Sequence, residues 1–71
     1  MAKAFSTATH QILLAGDSPG DVKAGRAACA KTAAVLWAAF RPDRLRNAGA
    51  DFVCATVDEF EAVIDLLQAP D

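Results

Sequence analysis

The chain is short, mildly acidic and apolar, with 71 residues, 54% of them hydrophobic, a net charge of −2 and a pI near 5.1. This length allows one domain at most, and the apolar fraction excludes a disordered chain. The acidic balance argues against nucleic acid as a partner. The longest apolar run, from Ala33 to Phe40, is far shorter than the roughly 18 residues of a membrane span.

Residues 1–10 have no periodic apolar pattern, and we expect a lead-in segment, irregular or partly helical, before a domain at 11–69. The segment also lacks the long apolar run of a secretory signal. His10, the only histidine, is expected at the surface. Cys29 and Cys54 lack CxxC or Cys/His spacing, so we expect buried thiols in a reducing cytoplasm.

The unbroken apolar run ILLA at residues 12–15 predicts a strand that is buried on both faces and ends at Gly16. The sequence SPGD at 18–21 then predicts a helix start, with Ser18 as the N-cap and Asp21 completing a capping box. The helix is expected to run to about residue 28. Its small inner face should lie close on a sheet, and consists of Val22, Gly25, Ala28 and Cys29.

Two more strands and two more helices are predicted downstream, at 32–36 (strand), from Pro42 (helix), at 52–54 (strand) and from 57 (helix). Thr56 and Glu59 form a capping box for the last helix. The order β-α-β-α-β-α indicates an α/β fold of three βα units with a short parallel sheet. The arginines at 41, 44 and 46 are expected to form a solvated face.

Trp37 and Phe40 follow the carboxyl end of the second predicted strand, on the same rim of the sheet as Asp17. Two interpretations stay open for these aromatic rings. They could form the wall of a pocket at that rim, or they could pack against neighbouring loops.

Asp17 and Asp21 are the candidate metal ligands, since Asp17 directly follows the buried strand and Asp21 lies one helical turn later. Mg²⁺ usually takes one or two carboxylates together with water and phosphate oxygens, and a helix N-terminus favours a phosphate group. A capping box alone explains Asp21 but not Asp17. A metal site and a purely structural helix start therefore both stay open, and no catalytic residue is assigned.

Four pieces of sequence carry a family resemblance: AGDSPGD at 15–21, AGRAA at 24–28, AVLW at 34–37 and AGAD at 48–51. From Leu13 to Leu67 the chain resembles the C-terminal part of the core domain of haloacid dehalogenase-superfamily hydrolases, chiefly the phosphoglycolate phosphatase-like members. The resemblance implies a partial Rossmann-like core that binds Mg²⁺. It also implies that Asp17 is the metal ligand and that Asp21 assists through a water or by orienting neighbouring groups.

The sequence departs from the family in several parts of the active site. It has no Asp-x-Asp nucleophile motif, no phosphate-binding Ser/Thr strand, no lysine motif and no substrate-selecting cap. Cys29 and Ala38 stand where the family usually or often has glycine, and we expect Cys29 to strain the helix end.

The resemblance therefore implies a fragment of a Mg²⁺-dependent phosphatase that is inactive alone. A phosphorylated small molecule would be its substrate only if the site were completed. The alternative is a small non-catalytic α/β interaction or assembly module with a vestigial acidic pair. A receiver-like signalling fragment is disfavoured because the downstream pieces match the hydrolase pattern.

The family fold pairs the strand at 12–15 with the nucleophile strand. Without that neighbour, the strand would be an apolar edge that invites pairing with another chain. We therefore expect either a homo-oligomer or a partner chain that covers this edge.

Overall fold

The computed structural model describes residues 2–6 and 12–68, which form one mixed sheet covered by helices. The four strands lie side by side in chain order: β1 (Ala2–Ser6), β2 (Ile12–Gly16), β3 (Lys31–Val35) and β4 (Phe52–Cys54). The helices are α1 (Pro19–Ala27), α2 (Pro42–Arg46) and α3 (Val57–Gln68), and a 3-10 turn spans Leu36–Ala38. Strands β2, β3 and β4 run parallel. The predicted α/β class is confirmed.

The sheet has an apolar core on each face because successive side chains of a strand point to opposite sides. On one face Ala34 packs with residues of α1, the 3-10 turn and α2, namely Val22, Leu36 and Leu45. On the other face Leu13, Ala15 and Ala33 are covered by Phe5, Val35 and Phe52 and by the apolar side of α3, namely Phe60, Val63, Ile64 and Leu67. The site described below lies where the α3 face meets the carboxyl ends of β2 and β3.

Strand β1 corrects the prediction made for the start of the chain. An irregular or helical lead-in is wrong for Ala2–Ser6, which pairs antiparallel with β2 along its whole length, from Ala2 opposite Gly16 to Ser6 opposite Ile12. The expected unpaired edge at residues 12–15 is therefore also wrong, because the chain covers that edge itself. Association with another chain stays a prediction, but an unpaired β2 edge no longer supports it. His10 lies outside the described residues.

Helix α1 lies close on the sheet, as its small residues predict. A Cβ atom built on Gly25 would lie 2.5 Å from Cγ2 of Thr32 and 2.9 Å from Cδ2 of Leu14, so only glycine fits there. Val22 and Gly25 are buried, whereas Ala28 and Cys29 are exposed because the helix ends at Ala27. The predicted inner face is thus right for its first two members and wrong for its last two.

The end of α1 turns on Cys29, whose φ of 60° is left-handed. The N–H of Cys29 donates to the carbonyl of Arg26 at 3.1 Å, and the N–H of Ala30 donates to that of Gly25 at 2.9 Å. These two bonds form the Schellman arrangement that glycine usually closes. The expected strain at Cys29 is present, whereas its expected burial is not.

The capping of α3 follows the prediction with a shift of one residue. The N–H of Glu59 donates to Oγ1 of Thr56 at 3.2 Å, and Oε1 of Glu59 accepts from the N–H of Ala55 at 3.2 Å. The arginines at 41, 44 and 46 are exposed, as predicted. Within residues 2–6 and 12–68, no helix has the length and apolar character needed to cross a membrane.

Candidate functional site

Asp17 and Asp21 meet at the carboxyl end of β2, beside the first turn of α1. Ser18 caps the helix, accepting at Oγ the N–H of Asp21 at 3.3 Å. The carboxylate of Asp21 reaches back, and its Oδ2 accepts the backbone N–H of Asp17 at 3.1 Å. The predicted capping box is thus half correct, because the returning bond goes to Asp17 rather than to Ser18. The two predicted ligands do lie together.

Gly16 allows Asp21 to lie over the end of β2. A Cβ atom at position 16 would lie 2.3 Å from the Cβ atom of Asp21, a distance that real side chains do not show. The Gly-Asp-x-x-x-Asp pattern is therefore one local structure. Its glycine makes room for the second carboxylate, and that carboxylate fixes the backbone of the first.

The Asp17 carboxyl is favoured in its ionised form. Side-chain hydrogen bonding is the largest cause that lowers its pKa. Partial desolvation opposes this, while a nearby positive charge and a hydrogen bond with Asp21 lower the pKa further. Asp17 is half-buried at the rim of the sheet. An ionised, partly accessible carboxylate is a suitable ligand for a hard cation.

The donor set fits Mg²⁺ at its lower limit. Two carboxylates can hold Mg²⁺ when water and phosphate oxygens supply the other ligands. Among the residues that the structure describes, no group of three or more His, Cys, Asp or Glu side chains could hold a metal ion. The arrangement is therefore an open two-carboxylate site and not a closed protein cage.

A cavity of about 320 Å³ opens beside Asp17 on the α3 face of the sheet. Its walls are mainly apolar and come from β1, β2, β3, the 3-10 turn and α3, namely Phe5, Ala15, Val35, Ala38 and Phe60. Lys3 and Asp17 are the charged residues among its described lining. Small-molecule sites in open α/β sheets lie at this end of the strands, and their lining is commonly apolar with a few polar groups.

The aromatic rings at this cavity differ from those expected. Trp37 is 47% exposed and meets Phe60 edge-on, with ring centroids 6.2 Å apart. Phe40 is 92% exposed, with the guanidinium of Arg41 5.9 Å from its ring centroid. Neither ring lines the cavity. Packing is therefore the correct interpretation for Trp37, whereas Phe40 lies in solvent.

Lys3 and Phe5 were missed because the place of β1 in the sheet depends on its pairing with β2. Phe60 was missed because it lies on α3, which packs on the sheet from the other end of the chain. Ala38, which stands where the family often has glycine, lines the cavity. The signal available for Phe60 was its position on the apolar side of the last helix. No comparable local signal marks Lys3 or Phe5.

A second polar group lies at the amino end of β3, away from Asp17. Oδ2 of Asp51 accepts the N–H of Thr32 at 2.8 Å and its hydroxyl at 3.2 Å, and the N–H of Asp51 donates to that hydroxyl at 3.0 Å. Thr32 is fully buried. These bonds satisfy the groups that they join and tie the loop before β4 to β3, so we assign Asp51 a structural role.

No protein-family profile, curated protein or solved structure matches the chain. The resemblance noted in the sequence therefore rests on the quoted motif residues alone.

Proposed function

We propose that the chain carries the Mg²⁺-binding part of a phosphate monoester hydrolase site, with Asp17 and Asp21 holding the ion. One observation carries the proposal: both carboxylates meet at the carboxyl end of β2, where the N–H of Asp17 bonds to Asp21. Mg²⁺ at this place would draw a phosphate group towards the rim of the sheet. The resemblance to haloacid dehalogenase-superfamily hydrolases, expressed in the same residues, supports this proposal.

Phosphate hydrolysis by this sequence alone is not part of the proposal. Covalent phosphoryl transfer through an aspartate needs that carboxylate in line with the phosphorus. The strands beside β2 are β1 and β3, whose sequences AKAFS and KTAAV contain no carboxylate. A nucleophile would have to come from another polypeptide segment, and a phosphorylated small molecule would be the substrate of the completed site.

The metal proposal is tested with Mn²⁺ as a paramagnetic probe and ¹⁵N-labelled protein. The amide signals of Gly16 to Ser18 should broaden at Mn²⁺ concentrations that leave β4 unaffected, and excess Mg²⁺ should restore them. Asp17→Asn should abolish the broadening, whereas Asp43→Asn, which changes an exposed carboxylate on α2, should not. Equal broadening in the wild type and in Asp17→Asn would overturn the proposal.

Turnover of an aryl phosphate in Mg²⁺ gives an independent readout. No hydrolysis above that of Asp17→Asn is expected from the purified chain. Hydrolysis that disappears in Asp17→Asn would mean that the chain supplies its own nucleophile, in contradiction to the division of roles proposed above.

A non-catalytic interaction module is the second candidate, and β1 favours it. This strand occupies the place beside β2 where a catalytic strand would lie, and it presents Lys3 at the cavity. Such a module would bind a second copy of this chain or a partner chain. The absence of Mn²⁺ broadening near Asp17, together with a sedimentation coefficient that depends on concentration, would support it. A monomer at all concentrations would argue against self-association.

The reducing cytoplasm is the compartment that we propose. Cys29 and Cys54 are both free thiols, and one is exposed where an oxidising compartment would modify it. The test is to lyse cells directly into a denaturing solution of an alkylating reagent. Both thiols should then be alkylated. A mixed disulfide at Cys29 would contradict the assignment.

A further inference from the structure

We propose that the cavity beside Asp17 binds a phosphate monoester whose alcohol portion is apolar, with Lys3 contacting the phosphate group. The inference rests on the proposed function, since it places Mg²⁺ on Asp17 and Asp21. It adds the class of ligand and a residue, Lys3, that determines how the ligand is held.

The apolar wall is the first part of the argument. Phe5 and Phe60 meet edge-on across the cavity wall, with ring centroids 5.8 Å apart. Their pairing joins the first strand to the last helix and gives the cavity a fixed aromatic side. A volume of about 320 Å³ has room for one small ring and falls at the lower end of small-molecule sites, roughly 300–1,000 Å³.

The lack of neutral hydrogen-bonding side chains is the second part. The described lining residues include no hydroxyl or amide side chain. A ligand whose alcohol portion carries several hydroxyl groups would find no neutral hydrogen-bonding side chain here, whereas an aryl or alkyl group gains by covering the apolar wall. The wall therefore selects an aryl or alkyl group over a sugar.

The two charges at the cavity are the third part. Lys3 lies opposite Ala15 in the β1–β2 register, so its side chain leaves the sheet on the face where Ala15 and the cavity lie. Asp17 follows two residues after Ala15. With Mg²⁺ on Asp17, the cavity carries a divalent cation and an ammonium group beside an apolar wall, which is the complement of a phosphate dianion on an apolar group.

The test is a titration of the ¹⁵N-labelled full chain in Mg²⁺, with phenyl phosphate and with inorganic phosphate. Phenyl phosphate should shift the amide signals of Ala15, Val35 and Ala38 and bind about 10-fold more tightly than inorganic phosphate, because only its ring is buried by the wall. Equal affinity for the two ligands would overturn the inference.

Two variants separate the parts of the proposed site. Lys3→Gln should weaken both ligands by about 3- to 10-fold, the effect of losing one partly solvated ionic contact. Ala38→Leu should reduce the cavity volume and weaken phenyl phosphate alone. Lys31→Gln, at the other end of the sheet, and Ala24→Leu, on the exposed side of α1, are the matched controls and should change neither affinity.

The outcomes distinguish this inference from the proposed function. Mn²⁺ broadening at Asp17 with equal affinity for the two phosphates leaves the metal site standing and removes the cavity's role. Unchanged binding in Lys3→Gln removes Lys3 from the site. Loss of the Mn²⁺ signal at Asp17 removes the proposed function, and this inference with it.

Discussion

The carboxylate of Asp21 holds the backbone of Asp17 through a 3.1 Å hydrogen bond from the Asp17 N–H to Oδ2 of Asp21. The first turn of α1 and the end of β2 are therefore joined by the same residues that are proposed to hold Mg²⁺. Asp21 also lies in the first turn of the helix, where a negative charge is favourable. It thus has a structural role with or without a metal.

Gly16→Ala should destabilise the fold. The new Cβ atom would lie 2.3 Å from that of Asp21, and such overpacking typically costs about 1–3 kcal/mol. Urea unfolding followed by circular dichroism measures the change. Gly20→Ala is the matched control, because the nearest neighbouring atom is 3.8 Å away and alanine in a helix gains up to about 1 kcal/mol over glycine. Equal effects at the two positions would show that Asp21 does not lie over Gly16.

Cys29→Gly should stabilise the fold by about 1 kcal/mol, since a left-handed residue other than glycine is strained by roughly that amount. The φ of 60° at Cys29 is the reason for the expectation. Cys29→Ala retains the strain and should change the free energy of unfolding by less than about 0.5 kcal/mol. A stability gain in the alanine variant equal to that in the glycine variant would attribute the effect to the thiol and not to the backbone.

The stability of the fold should fall with rising pH above about 9, because burial, and secondly the charge of Glu59, raise the pKa of the Cys54 thiol above its ordinary value of 9.0. The protonated Cys54 thiol contributes fully to the free energy of unfolding below the unfolded-state pKa. This contribution is lost as the pH rises towards the folded-state pKa. Urea midpoints between pH 7.5 and 10.5 measure the decline. Cys54→Ala should flatten it. A Cys54→Ala variant with an unchanged slope would contradict this assignment.

The order of elements from β2 to α3 could be predicted because each one carries its own local signal. The apolar run of β2 is unbroken, the N-cap at Ser18 and the capping box at Thr56 mark helix starts, and Pro42 begins α2. The meeting of Asp17 and Asp21 followed from the same signals, since both residues lie within one strand–helix turn.

Strand β1 could not be predicted, because its five residues, AKAFS, contain one large apolar side chain and no turn signal. Its structure comes from pairing with β2 in a fixed register, which is a non-local interaction. The cavity residues Lys3 and Phe5 depend on that pairing. The exposure of Cys29 was missed for a related reason: the Schellman turn at the end of α1 carries the residue away from the sheet.

Helix α3 completes the core on a face that β1 and β2 begin. Phe60, Ile64 and Leu67 pack against the core of Leu13, Ala15 and Ala33. The Nε2 group of Gln68 donates to the carbonyl of Ser6 at 3.1 Å, across 62 positions of sequence. A nascent chain that has not yet reached α3 exposes this entire apolar face. The two apolar faces of the sheet are therefore closed by different parts of the chain: α1 and α2 cover one, and the other is covered only when α3 has docked.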